Sequence, residues 1–102
     1  MSSHEVLVET AAKIVVQFHI DPPPGDGLTR SLLIERLRKV INHLLDNDFS
    51  QLLTIFYRID LKEETVKRIL TNSPPHEMAQ LLAEEVVKRE EQKIISRNQY
   101  GD

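Results

Sequence analysis

Four histidines, His4, His19, His43 and His76, are the side chains best suited to proton transfer near neutral pH or to metal ligation. Their spacing defeats both uses. No two stand in an H-x-x-x-H or H-E-x-x-H pattern, so no pair of ligands is preformed on a helix face. His43 is the best placed, because Asp46 follows three residues later and a carboxylate there would orient and charge the imidazole. A small hydrolase or carrier working through His43 is therefore one functional reading, although no nucleophile or second base stands nearby. His76 reads as a solvated residue near the start of a helix.

Adjacent carboxylates occur at Glu63-Glu64, Glu84-Glu85 and Glu90-Glu91. Neighbouring helical residues point about 100° apart, so none of these pairs converges on one reacting atom. Glu84 precedes Lys88 by four residues, and Glu85 precedes Arg89 by four, the favourable order for ion pairs on a helix surface. These acids are expected on a solvated face. A carboxylate metal site in a bundle needs Glu-x-x-His, which the chain lacks. It also lacks a Ser-His-Asp order and a Walker motif, and Gly25-Asp26-Gly27 is a lone turn. The chain is not expected to be an enzyme, and neither a cofactor nor a metal is expected.

The most specific pattern spans Leu52 to Leu70. A DNA-binding helix-turn-helix needs five apolar positions in a window of this length, because its two helices pack at a steep angle. Counted from Leu52, the positions are filled by Ile55, Ile59, Leu61, Val66 and Ile69. Thr65-Val66-Lys67-Arg68-Ile69-Leu70 resembles a bacterial recognition helix, with Thr65, Lys67 and Arg68 as the DNA contacts it implies. Phe56 stands where the motif wants a small residue, and Asp60 where it usually has glycine. Glu63 and Glu64 would face the phosphates and oppose the counterion release that drives binding. Nucleic acid is thus a disfavoured partner, and two amphipathic helices packed in a bundle are expected here.

The elements that would position these residues are helical. The chain has 102 residues, 40% apolar and 28% charged, which suits one folded domain. Its five prolines fall in two clusters, Pro22–Pro24 and Pro74–Pro75, and it has three glycines, leaving long stretches free of helix breakers. There is no cysteine, hence no disulfide framework or thiolate chemistry. The first residues lack the basic and apolar regions of a signal peptide, and apolar runs such as Ile14-Val15-Val16 fall far short of a membrane span. A cytoplasmic protein is expected, without a membrane partner. The net charge of −3 comprises −3 over residues 1–27, +2 over 28–47, zero over 48–72 and −2 over 73–102, so there is no basic tail.

An all-α compact bundle of about five helices is expected, approximately 3–18, 29–46, 49–58, 61–71 and 74–97. Residues 21–27 form a Pro/Gly connector and 98–102 a frayed tail. Ser2 with Glu5, Asp48 with Gln51 and Asp60 with Glu63 read as capping boxes, and Ser73-Pro74 as an N-cap before a first-turn proline. Asn72 reads as a left-handed terminator. The β-branched run Ile14-Val15-Val16 leaves strand open within residues 5–18. The expected core is Leu7, Ile14, Phe18, Leu33, Leu37, Ile41, Leu44, Leu52, Phe56, Val66, Ile69, Leu82 and Val86.

The fifth helix, at roughly 36 Å, should outreach helices three and four. Ile94 and Ile95 near its end would then meet either a second copy of the chain or the N-terminal helix. Leu52-Leu53-Thr54-Ile55-Phe56-Tyr57-Arg58-Ile59-Asp60, followed by Glu85-Val86-Val87-Lys88-Arg89-Glu90-Glu91-Gln92-Lys93, resembles a group of short all-helical bacterial proteins of unknown function. The resemblance spans residues 40–97 and implies no activity, cofactor or catalytic residue. Tyr57 and Arg58 could anchor the turn, Arg58 pairing with Asp60 and the phenol ring lying at the core edge, or they could form a binding surface. The leading expectation is a non-enzymatic protein-interaction module whose partner is another protein or, as a homodimer, itself. Its contact residues would be Ile94, Ile95, Tyr57 and Arg58.

Overall fold

Side chains that accept backbone N–H groups set the start of three helices. In the structure, a computed structural model describing residues 2–22 and 27–100, Ser2 Oγ accepts the Glu5 N–H at 3.2 Å and opens α1 (Ser3–Phe18). Thr29 Oγ1 accepts the Leu32 N–H at 3.0 Å and opens α2 (Arg30–Asn47). Asp48 Oδ1 accepts the Gln51 N–H at 3.2 Å and opens α3 (Phe49–Arg58). Each such cap satisfies one of the orphan donors of a first turn. The chain continues as α4 (Glu63–Asn72) and α5 (Pro75–Tyr100).

These boundaries bear out the five-helix bundle, with three corrections. The first helix has the expected bounds, and the run Ile14-Val15-Val16, where strand was left open, lies inside α1, because Ile14 enters the core and helical packing outweighs β propensity. Asn72 is the last residue of α4 rather than a left-handed terminator, and Ser73 after it is extended. The fifth helix extends to Tyr100, so residues 98–100 are helical rather than frayed. The fourth helix starts two residues later than expected, for a reason given below. Residues 23–26 of the proline connector and 101–102 of the tail lie outside the described residues.

With 26 residues, α5 is about 39 Å long at 1.5 Å per residue, and the molecule measures 38 × 29 × 20 Å. It is the spine of the fold: α1, α2 and α4 pack against it, while α3 packs chiefly on α2. Ile14, Leu33, Leu37, Ile41, Leu52, Leu82, Val86 and Val87 are fully buried at the centre. Leu7 and Leu44, expected in the core, are only half-buried at its edge.

One exposed ion pair ties α5 to each of three neighbours. Arg97 donates to Glu9 of α1 at 2.6 Å, Arg30 of α2 grips both oxygens of Glu91 at 2.8 and 3.0 Å, and Arg89 reaches Asp60 at 3.0 Å. Such pairs contribute about 0–1 kcal/mol each, so they fix register more than stability. The expected pairs Glu84–Lys88 and Glu85–Arg89 do not form. Glu84 instead accepts from Gln80, and Arg89 turns to Asp60. Glu90, expected on a solvated face, is buried with its carboxylate 3.0 Å from Lys93 Nζ.

Candidate functional site

The helix α3 is apolar on more than the side it buries. Leu52, Ile55, Phe56 and the following Ile59 face the core. Phe49, Leu53 and Tyr57, spaced four residues apart on the other side, are 42%, 42% and 88% exposed. A surface helix ordinarily carries one apolar stripe; this one carries two. The outer stripe runs into a depression of about 260 Å³ lined by Leu53, Phe56, Tyr57, Leu61, Glu63 and Val66. Aromatic anchors beside an apolar recess are the usual make-up of a protein docking site.

Backbone geometry at the end of α3 shapes that depression. The Leu61 N–H bonds to Phe56 O at 3.0 Å and the Asp60 N–H to Tyr57 O at 3.1 Å, the paired bonds of a Schellman motif. The motif requires a left-handed residue, and Asp60 supplies it at φ 61°. Asp60 therefore closes α3 and does not cap α4. Lys62 occupies the N-cap of α4 and makes no side-chain cap bond, while Glu63 and Glu64 place negative charge in the first turn, where the helix dipole favours it. That is why α4 begins at Glu63.

Asp60 is held from α5. Arg89 donates through Nε to the Asp60 carbonyl at 3.1 Å and through a terminal nitrogen to Oδ2 at 3.0 Å. Arg89 thus replaces Arg58 as the expected partner of Asp60; Arg58 is exposed and forms no ion pair among the described residues. Tyr57 does not lie at the core edge, because Phe56, one residue and about 100° away, already fills the inward position.

A second, polar groove of about 480 Å³ adjoins the apolar one and shares Tyr57, Leu61 and Glu63 with it. It brings Thr65 and Arg68 together with Lys62, Lys88 and Arg89. Lys67, the third residue of the DNA reading, is exposed but lies outside this groove. Of the five window positions, Ile55, Ile59, Val66 and Ile69 are buried and Leu61 half-buried, as a helix-turn-helix packs them. Asp60 takes the left-handed turn conformation that the motif gives to glycine. Glu63 and Glu64 nonetheless stand exposed beside Lys67 and Arg68, leaving the outer face of α4 balanced in charge.

The end of α5 is not an open apolar surface. Ile94 is 1% exposed, since α1 lies along this end of α5, where Glu9 meets Arg97. Ile94 is thereby withdrawn from any partner contact, and Ile95, at 44%, stays on the surface. All four histidines are exposed. His43 faces Asn47, whose side-chain nitrogen is 3.2 Å from Nδ1 and donates to the His43 carbonyl at 2.9 Å. Asp46 is not its partner. Among the described residues no three His, Asp or Glu side chains gather as metal ligands, and no helix is long and apolar enough to cross a membrane.

One charged pair on α2 has a shifted titration. Two hydrogen bonds from the Arg38 guanidinium, at 2.6 and 3.1 Å, hold the Glu35 carboxyl below the usual carboxylate range, and the same bonds raise Arg38. Both groups are solvent-facing and belong to no recess on α3 or α4. No protein-family model, curated protein or solved structure matches this chain.

Proposed function

We propose that this protein is a non-enzymatic helical interaction module, cytoplasmic and free of cofactors, which docks a protein partner through the outer face of α3. The homodimer is its simplest assembly. The observation that supports this reading most is the outward stripe Phe49, Leu53 and Tyr57, continuous with the recess floored by Phe56, Leu61 and Val66. Phe49 and Leu53, each 42% exposed, and Tyr57, 88% exposed, forgo a share, in proportion to that exposure, of the ~1.5–3 kcal/mol that full burial of a large apolar side chain contributes. A docking partner recovers that energy.

Affinity capture from the native host tests the reading, with wild-type protein and Leu53→Asp immobilised side by side. A protein, or further copies of the chain, retained by the wild type and lost with Leu53→Asp supports it. Identical capture by both removes it.

A second reading is a DNA-binding regulator using Thr65, Lys67 and Arg68. The left-handed turn at Asp60 favours it. The balanced charge of α4 opposes it, because binding affinity for a duplex rests largely on phosphate neutralisation. Duplex titration at low salt separates the two: no binding there eliminates the DNA reading.

A further inference from the structure

We infer that α4 is a detachable wall of the recess beside α3: it unfolds from α5 as one unit, between the Asp60 turn and Ser73–Pro75, and its opening dismantles the recess. The inference rests on the reading of α3 as a docking face and adds a conformational device that controls it. Leu53, Phe56 and Tyr57 on α3 form one side of the recess, Leu61 lies in the turn, and Glu63 and Val66 on α4 form the other side. With α4 open, that second side is gone.

The helix is weakly anchored. It buries two side chains, Val66 and Ile69, where α3, of equal length, buries three. Ion pairs tie α5 to α1, to α2 and to the Asp60 turn, but among the described residues none reaches α4 itself. Its Glu63, Glu64, Lys67 and Arg68 are unpaired there, and Thr71 bonds only to carbonyls of its own helix. Grooves of about 480 and 350 Å³ run between α4 and α5, sharing Arg68 and Glu85, and the recess of about 260 Å³ lies between α4 and α3. Both ends are breaks in the helical path. Asp60 is left-handed before α4; after it Ser73 is extended, and Pro74 and Pro75 have no N–H with which to carry the helix into α5. A ten-residue helix without a side-chain N-cap is marginal in water once detached, so α4 opens by unfolding. Segments with few buried apolar contacts open in this way, below the free energy of global unfolding. Arg89 on the Asp60 turn clamps one end of the wall to α5 and holds it closed.

Native-state hydrogen exchange of the dilute chain reads the opening. The backbone amides of residues 66–71 should exchange as one group, at least about tenfold faster than those of Leu37–Ile41 and Leu82–Val87, with a weak dependence on urea because little surface is uncovered. Ile69→Asp places a charge in the seat of α4, outside the recess, and should hold the wall open. Circular dichroism of that variant should lose the signal of one ten-residue helix while the rest still unfolds cooperatively, and the docking that Leu53→Asp abolishes should be lost as well. Exchange of the α4 amides at the rate of the α2 and α5 cores, or collapse of the whole fold in Ile69→Asp, overturns the detachable wall. Undiminished docking by Ile69→Asp with α4 open overturns its control of the recess. If Leu53→Asp leaves capture unchanged, the docking reading falls and control of the recess with it, whereas the opening of α4 is judged by exchange alone; the two failures are therefore distinguishable.

Discussion

Arg89 holds Asp60 by side chain and backbone together, its Nε on the Asp60 carbonyl at 3.1 Å and a terminal nitrogen on the carboxylate at 3.0 Å. The contact locks the turn between α3 and α4 to the spine of the bundle. Asp60 sits there at φ 61°, a conformation that costs an ordinary L-residue roughly 1–2 kcal/mol. Asp60→Gly removes that cost along with the ion pair, so its unfolding free energy should stay within about 1 kcal/mol of the wild type. Asp60→Val keeps the strain and loses the pair, and should be destabilised by at least about 1 kcal/mol, roughly fivefold in the folding equilibrium. Urea denaturation of the two variants checks the order.

Lys62 is a weak helix start, an N-cap residue with no side-chain bond. Lys62→Ser or Lys62→Asp would supply an acceptor for the Glu64 or Thr65 N–H. Each is expected to raise stability by about 0.5–1 kcal/mol. Conversely, Thr29→Ala and Asp48→Ala remove observed caps and should each cost about 1 kcal/mol. A rise in melting temperature for Lys62→Ser, with falls for the other two, is the expected pattern.

The two capping aspartates show where the sequence is legible. Asp48 and Asp60 both precede a glutamine or glutamate by three residues, and both read as N-caps. Only Asp48 is one, because the cap pattern fixes local bonding but does not register the Schellman turn closing the helix before it. Most of the core could be read from helical spacing, since Ile14, Leu33, Leu37, Ile41, Leu52, Leu82 and Val86 recur at three- and four-residue intervals. The outer face of α3 is harder to read. Leu52 and Phe56 are rightly expected inward, but Phe49, Leu53 and Tyr57 have helical spacing too, and spacing alone does not say that this second stripe stays uncovered. Packing of α3 on α2 decides that. The burial of Ile94 depends likewise on where α1 comes to rest, which no local pattern encodes.

Inner and outer stripes should respond oppositely to truncation. Leu52→Ala opens a cavity at a fully buried site and should cost about 2–5 kcal/mol. Leu53→Ala, one residue on and 42% exposed, should change the stability of the isolated monomer by less than about 0.5 kcal/mol. Denaturation at low protein concentration, where association is absent, gives the clean comparison. A large loss for Leu53→Ala there would mean that Leu53 belongs to the core.

Arg38 keeps Glu35 ionised below the usual carboxylate range, chiefly through the hydrogen bonds that it donates. A depressed carboxyl contributes stability above its unfolded value, about 4.3, and loses it as pH falls through the lower folded value. The contribution is therefore complete at neutral pH and disappears in the acid range below that value. Arg38→Gln should return Glu35 towards the ordinary carboxylate value in an NMR titration of the side-chain carboxyl. Added salt should weaken the shift in the wild type, since the pair faces solvent.

The outer face of α3 is tested most directly by two-dimensional NMR of the wild-type chain followed over a concentration series. Self-association through this face should shift and broaden the resonances of Phe49, Leu53, Thr54 and Tyr57 as concentration rises, while Thr65, Lys67, Arg68 and Ile95 stay in place. Concentration-dependent shifts centred on Ile95 or on α4, with α3 unmoved, would contradict it.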